Sequence, residues 1–226
     1  MKILAIVFTI VFSYCLGSLN SAIIVCKVLK GKDIREFGSK NAGLTNVHRV
    51  FGKGPAIATL ACDLLKGVLG VVICRIIVHK LFGVTFFDDP HFIGYVAGLF
   101  VNLGHCFPVF YGFHGGKGVL IAATTLLAID PLTCVFSLAV FFILVALTKY
   151  VSVGSICAAM AYPTFTFIDQ KFLYSGHYAV LPNTLVALLI GLLIVFLHRP
   201  NIKRLLNGTE NKFGKKKAEP EKTAQQ

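Results

Sequence analysis

Seven apolar segments follow one another along the chain, at about residues 3–26, 55–79, 91–111, 118–130, 132–149, 153–169 and 181–198, with short polar joints between them. About 20 apolar residues in an α-helix cross a bilayer core, and only a structure that satisfies its own backbone polar groups is tolerated there. The pattern predicts an all-α, polytopic integral membrane bundle of about seven transmembrane helices, in a single domain over 1–211. A soluble fold fails on composition: 56% of the 226 residues are hydrophobic and 14% charged, too little polar surface to wrap such a core. The fourth segment is short and meets the turn signal Asp130-Pro131, so a six-helix count stays open. Lys2 and the run from Ile3 to Leu16 look like a secretory signal. No small-residue cleavage site follows, however, and apolar character resumes from Ala22 to Val28, which makes this a first helix.

A formal net charge of +12 raises nucleic acid as a partner, and the distribution of charge decides against it. With seven alternating helices, one face receives residues 27–54, 112–117, 149–152 and 199–226, which hold 17 of the 22 Lys and Arg. Lys2, Lys80 and Lys171 lie on the other face, with Arg75 near its helix end. By the positive-inside rule the N-terminus is outside and the C-terminus cytoplasmic. Residues 212–226 read as a basic, disordered cytoplasmic tail. Six of the seven cysteines fall in or beside apolar runs and no C-x-x-C pair occurs, so neither a disulfide framework nor a metal site is expected.

Four donor-rich clusters fall on the basic face. The first runs Gly38-Ser39-Lys40-Asn41-Ala42-Gly43-Leu44-Thr45-Asn46, with Arg49 a turn later. Its glycines permit close backbone approach, and its Ser, Thr, Asn and Arg side chains add donors suited to phosphate, although the same residues also build ordinary turns. The second, Gly104-His105-Cys106-Phe107-Pro108 through Gly115-Gly116-Lys117-Gly118, puts an ammonium beside free amides at a helix start, an anion site. It is not a Walker A loop: Tyr111 replaces the first Gly, and Gly118 the Ser or Thr that holds magnesium. The third surrounds Ser152 and Ser155, and the fourth runs from His198 and Arg199 through Asn201 and Arg204 to Glu210. Taken singly, these two read as a capping signal and a membrane-surface basic patch. Asp63 and Lys66, three residues apart inside the second helix, read either as a self-neutralising pair or as functional ionisable groups. Topology brings the four clusters to one face, where they supply positive potential beside an apolar wall.

These motifs strongly resemble the bacterial acyl-phosphate:glycerol-3-phosphate acyltransferase family over nearly the whole chain. The carriers are Gly38-Ser39-x-Asn41-x-Gly43-x-Thr45-Asn46 with Arg49, Asp63-Leu64-Leu65-Lys66-Gly67, Gly104-His105-x-Phe107-Pro108 through Val119, Tyr150-Val151-Ser152, and His198-Arg199-x-Asn201. The resemblance implies a seven-helix enzyme of the bacterial cell (inner) membrane with a cytoplasmic active site. Its substrates would be acyl phosphate and glycerol 3-phosphate, and its product lysophosphatidic acid, an early step of phospholipid biosynthesis. It implies no cofactor, and it adds the enzyme supplying acyl phosphate as an expected partner. Residue by residue, it assigns Gly115, Gly116, Gly118 and Val119, with Asn41, Thr45 and Asn46, to the acyl phosphate. Arg49, Lys117, Ser152, His198 and Asn201 go to glycerol 3-phosphate. Lys40 and Leu44 stand where the family more often has small residues, and Leu120-Ile121 replaces Ala-Thr.

A mixed anhydride has phosphate as a good leaving group, so a substrate hydroxyl can attack it directly. Lys117, Arg49 and loop amides then stabilise charge, and a substrate phosphate oxygen or His105 takes the proton. An acyl-enzyme at Ser39 is the alternative, but no Ser-His-Asp arrangement marks it. Acyl-CoA enzymes of the glycerolipid type share a His-x-x-x-x-Asp pair, and no histidine here is followed by Asp at that spacing. A transporter of an organic phosphate is the rival from another class. It would place polar groups at mid-membrane, where only Asp63 and Lys66 are embedded.

Overall fold

The computed structural model describes residues 1–174 and 176–213, so the expected tail lies outside the described residues from 214 onward. The fold is all-helical: α1 (Lys2–Ser18), α2 (Ser21–Lys30), α3 (Leu44–Phe51), α4 (Lys53–Ile76), α5 (Phe92–Cys106), α6 (Val119–Ile129), α7 (Pro131–Thr148), α8 (Val151–Ile168), α9 (Val180–Leu197) and α10 (Arg199–Leu206). Among the described residues six stretches are long and apolar enough to cross a membrane: Lys2–Lys30, Lys53–Leu81, Phe92–Tyr111, Pro131–Thr148, Val151–Leu173 and Val180–Leu197. Large apolar side chains such as Ile143, Leu147, Leu181 and Leu189 are exposed, as a lipid-facing surface requires.

Two expected helices differ from the apolar pattern. The first is broken at Leu19-Asn20: the Asn20 side chain accepts from Ile23 N–H at 3.1 Å and starts α2 as its N-cap. Hydropathy runs on through the break, because one asparagine does not interrupt an apolar window. The fourth is the 11-residue α6, about 16 Å long against a core of about 30 Å. It nevertheless joins two polar layers. Lys117, just before it, hydrogen-bonds Asn201, while Asp130, just after it, accepts from the Tyr174 hydroxyl at 2.7 Å. The short helices α3 and α10 lie in stretches expected to be loops; their polar sides hide them from a search for apolar runs.

Glycines set the closest helix contacts. A Cβ on Gly104 of α5 would run into the Tyr14 carbonyl of α1, and one on Gly17 of α1 would meet the Val101 carbonyl of α5. Backbone therefore touches backbone, the small-residue packing that compensates for the weak hydrophobic drive between helices in lipid. Gly191 of α9 sits in the same way against the Ala159 carbonyl of α8, while Gly67 of α4 makes room for the Thr124 side chain of α6. At the Asp130 end of α6, buried Asp89 accepts from the Ala179 amide at 2.9 Å and from Asn183 Nδ2 at 2.6 Å, fixing the start of α9 to the loop before α5.

Candidate active site

The first glycine-rich loop is held from within by Asn46. Its Oδ1 accepts from Ser39 N–H at 2.9 Å, and its Nδ2 donates to the carbonyls of Phe37 at 3.0 Å and Asn41 at 3.1 Å. Gly38 turns the chain at φ 60, in the left-handed region that favours glycine. Arg35 ties this loop to the second, donating to Tyr111 O at 2.7 Å while bonded to Asp33. That hydrogen bond holds the Asp33 carboxyl down at about 2. Ala42 N–H then reaches Gly115 O at 3.4 Å, so the two loops form one unit.

The second loop packs onto the end of α5. Gly115 N–H donates to Cys106 O and Gly116 N–H to His105 O, each at 3.1 Å. A Cβ on Gly115 would strike the His105 carbonyl, and one on Gly116 the His105 Nε2. These two glycines therefore serve close approach, and their own amides are occupied. Gly118 has φ 80 and is held by Asn102, whose Nδ2 donates to its carbonyl at 3.2 Å. The start of α6 has no side-chain cap, which leaves its first-turn amides and positive dipole end for an anion.

Lys117 points to α10 and hydrogen-bonds Asn201 Oδ1. Burial, then the charges of Arg204 and Arg49, bring its amine down to about 8, with Glu210 acting in the opposite sense. Asn201 Nδ2 donates to Glu210 Oε1 at 2.8 Å, and Arg204 Nε donates to Glu210 Oε2 at 2.6 Å. Burial raises the Glu210 carboxyl, but the hydrogen bonds from Asn201 and Arg204 outweigh it and leave the group below its ordinary value. His198 is held neutral, at about 4, chiefly by burial. Its Nδ1 lies 2.7 Å from the Ile194 carbonyl, an acceptor, so Nδ1 carries the proton and Nε2 keeps its lone pair. Ser152 Oγ is buried nearby without a well-formed hydrogen bond.

These groups surround a cavity of about 440 Å³. Ser39, Asn41, Thr45, Asn46 and Arg49 contribute from one side, and His105, Lys117, Gly118 and Val119 from the second loop and the helices flanking it. Ser152, His198 and Asn201 come from the far side. Gly115 and Gly116 stand behind this lining. Leu138, Phe141 and Phe142 of α7 form an apolar wall. The lining also includes Asp63, Arg204 and Glu210, which the motif reading mentioned without assigning to the site. Glu210 reads in sequence as the end of a membrane-surface basic patch; its hydrogen bonds with Asn201 and Arg204, and the return of the chain after α10 where Phe213 N–H bonds Lys149 O at 2.7 Å, bring it to the cavity.

A family model described as glycerol-3-phosphate acyltransferase matches residues 7–208. The chain belongs to the glycerol-3-phosphate acyltransferase family. A Clostridioides difficile glycerol-3-phosphate acyltransferase is 40% identical over 96% of this chain and 100% of its own length, and one from Acholeplasma laidlawii is 38% identical over 96% and 97%. The crystal structure of PlsY (YgiH), an integral membrane glycerol 3-phosphate acyltransferase, in its glycerol 3-phosphate form superposes with a TM-score of 0.77 at 37% identity, covering 92% of this chain and 96% of that one. Its lysophosphatidic acid form gives 0.75, with 92% and 95% covered. This membership sets aside the transporter reading. In a glycerol-3-phosphate acyltransferase, a basic pocket beside an apolar wall is where a water-soluble phosphate and a lipid-borne acyl group can meet.

Proposed function

We propose that this acyltransferase takes its acyl group from acyl phosphate and works on the cytoplasmic side of a bacterial cell membrane. The observation that carries the reading is the cavity itself. Lys117, Arg49 and Arg204 give it cationic charge for two phosphates, the uncapped start of α6 adds amides, and Leu138, Phe141 and Phe142 offer a surface to an acyl chain.

Glycerol 3-phosphate sits with its phosphate toward Lys117, Arg49, Ser152 and Asn201. Neutral His198 offers the Nε2 lone pair to a glycerol hydroxyl. The acyl phosphate occupies the Ser39, Asn41 and Thr45 side, with its phosphate at the Gly118-Val119 amides; Gly115, Gly116 and Asn46 shape this cradle without donating. The 1-hydroxyl oxygen forms the new bond to the carbonyl carbon, the bond from that carbon to the phosphate oxygen breaks, and the hydroxyl proton ends on a phosphate oxygen. Lysophosphatidic acid and inorganic phosphate leave. Cations and amides placed where charge grows on the departing phosphate supply the rate. The sequence marks no Ser-His-Asp arrangement around Ser39, which favours direct transfer over an acyl-enzyme. The enzyme that makes acyl phosphate is a natural partner, because a lipid-like donor is best handed over at the membrane.

The test is purified protein offered glycerol 3-phosphate with palmitoyl phosphate, palmitoyl-CoA or palmitoyl acyl carrier protein. Lysophosphatidic acid is expected from the first donor alone, and its absence there would sink the reading. A reporter fused after Phe213 is expected to be active on the cytoplasmic side.

A further inference from the structure

The break in the first helix has a purpose that lies across the bundle. Ending α1 at Ser18 frees its last carbonyls, and the Lys66 ammonium of α4 comes to them, donating to Leu19 O at 3.1 Å and Gly17 O at 3.4 Å. The same Nζ lies 3.1 Å from Asp63 Oδ1 and 3.3 Å from His105 Nδ1. Lys66 is 6% exposed, Asp63 1% and His105 4%, so the charge is held chiefly by these protein contacts. An ionisable group this deep in a membrane helix is costly and calls for a reason.

Every neighbour of Lys66 Nζ that is not a carboxylate or a histidine is a carbonyl oxygen, an acceptor only. Facing two carbonyls and paired with a carboxylate, the Lys66 amine is an ammonium whose three N–H groups go to Gly17 O, Leu19 O and His105 Nδ1, with Asp63 Oδ1 an ion-pair neighbour outside hydrogen-bond geometry. His105 Nδ1 must then be the nitrogen with the lone pair, and the ring proton must be on Nε2. The other charged group near Nδ1, Asp63 Oδ1, is 3.9 Å away, beyond hydrogen-bond reach. Nε2 in turn faces the Gly116 turn, where a Cβ would collide with it, and His105 lines the cavity.

We propose that Lys66 is a positioning residue that fixes the His105 tautomer, so that His105 presents an Nε2–H donor to an oxygen of the reacting acyl phosphate and is not the proton acceptor. The inference rests on the reading of the cavity as the acyl-transfer site. It explains why Asp63-Leu64-Leu65-Lys66 and the α1 break stand together: the carbonyls and Asp63 hold the ammonium, and the ammonium holds the imidazole.

The test uses full-length protein in lipid nanodiscs, labelled with 15N-histidine. The His105 ring nitrogens, assigned by comparison with His105→Gln, are expected to report the Nε2–H tautomer from about pH 6 to about pH 9. In Lys66→Met the population moves toward Nδ1–H. An Nδ1–H tautomer in the wild type, or no change in a folded Lys66→Met, overturns the proposal. If Lys66→Met does not fold, kinetics decide. His105→Gln, which keeps an N–H near the Nε2 position, is expected within about tenfold of wild type with the same pH profile, while His105→Ala loses about a hundredfold. Equal losses in both variants, with loss of an acidic limb, would make His105 the base. The spectrum does not depend on which acyl donor is used, so failure of the donor assay and failure of the tautomer assignment are separate results.

Discussion

Replacing Lys117 by Met removes one cation and one hydrogen bond from the cavity while leaving Asn201 bonded to Glu210, so the helices should pack as before. Lys117 is the cation whose strength the cavity itself sets. With its amine at about 8, roughly nine-tenths of the free enzyme is charged at pH 7 and half at pH 8. An ammonium donating to a phosphate whose charge grows in the transition state contributes about 3–4 kcal/mol, so kcat/KM should fall by roughly 10²–10³-fold in Lys117→Met. In the wild type, kcat/KM should fall with an alkaline limb near pH 8, because the charged form binds and the neutral form does not. The limb in kcat should lie higher, since a bound dianion favours the protonated amine. Lys117→Arg stays charged at every pH, so it should lose the limb even though its geometry lowers the rate. The assay is steady-state phosphate release on nanodisc protein from about pH 6 to about pH 10, with size-exclusion profiles to confirm folding. Wild-type turnover in Lys117→Met, or an unmoved alkaline limb in Lys117→Arg, would refute the reasoning.

Glu210→Ala should cost about 1.5–3 kcal/mol of stability by releasing Arg204 and Asn201, read as a lower midpoint of thermal unfolding in detergent. Because the folded carboxyl lies below its ordinary value, its stabilisation is complete above the unfolded pKa and fades as pH falls through the folded one. The gap between mutant and wild type should therefore close in acid. Gly104→Leu should prevent α1 from meeting α5 and yield aggregated protein, since the added side chain would enter the backbone of Tyr14 and Ser18. Gly116→Ala should fold yet lose much of its rate, because its Cβ displaces His105 Nε2; normal activity would show that the imidazole is free to move. When radiolabelled palmitoyl phosphate is added without glycerol 3-phosphate, no acylated protein should accumulate, and label on Ser39 would replace direct transfer with an acyl-enzyme.

The lipid-facing architecture could be read from the sequence because hydrocarbon imposes one demand, long apolar helices, and hydropathy reports it directly. The candidate site was legible for a different reason: the glycine, asparagine and lysine clusters expected on alternate loops line one cavity. What escaped was set by single polar contacts inside apolar runs. Asn20 breaks the first helix with one capping bond, and no window average registers it. The short α6 spans its polar layers only because Gly118 can turn at positive φ against Asn102. Gly115 and Gly116 look in sequence like amide donors to phosphate, and it is packing against His105 that takes up their N–H groups. Whether Lys66 and Asp63 neutralise each other or serve the site stayed open in sequence, because a helical spacing shows i, i+3 neighbours and says nothing about a histidine from another helix.

The central claim is that the glycerol 3-phosphate hydroxyl oxygen ends on the acyl carbon with phosphate as leaving group. It is tested most directly by labelling the 1-hydroxyl of glycerol 3-phosphate with 18O and running a single turnover with palmitoyl phosphate. The account predicts that all the label is in the ester oxygen of lysophosphatidic acid, with one unlabelled phosphate released per ester formed. Label in the released phosphate, free palmitate in place of the ester, or no product at all would contradict it.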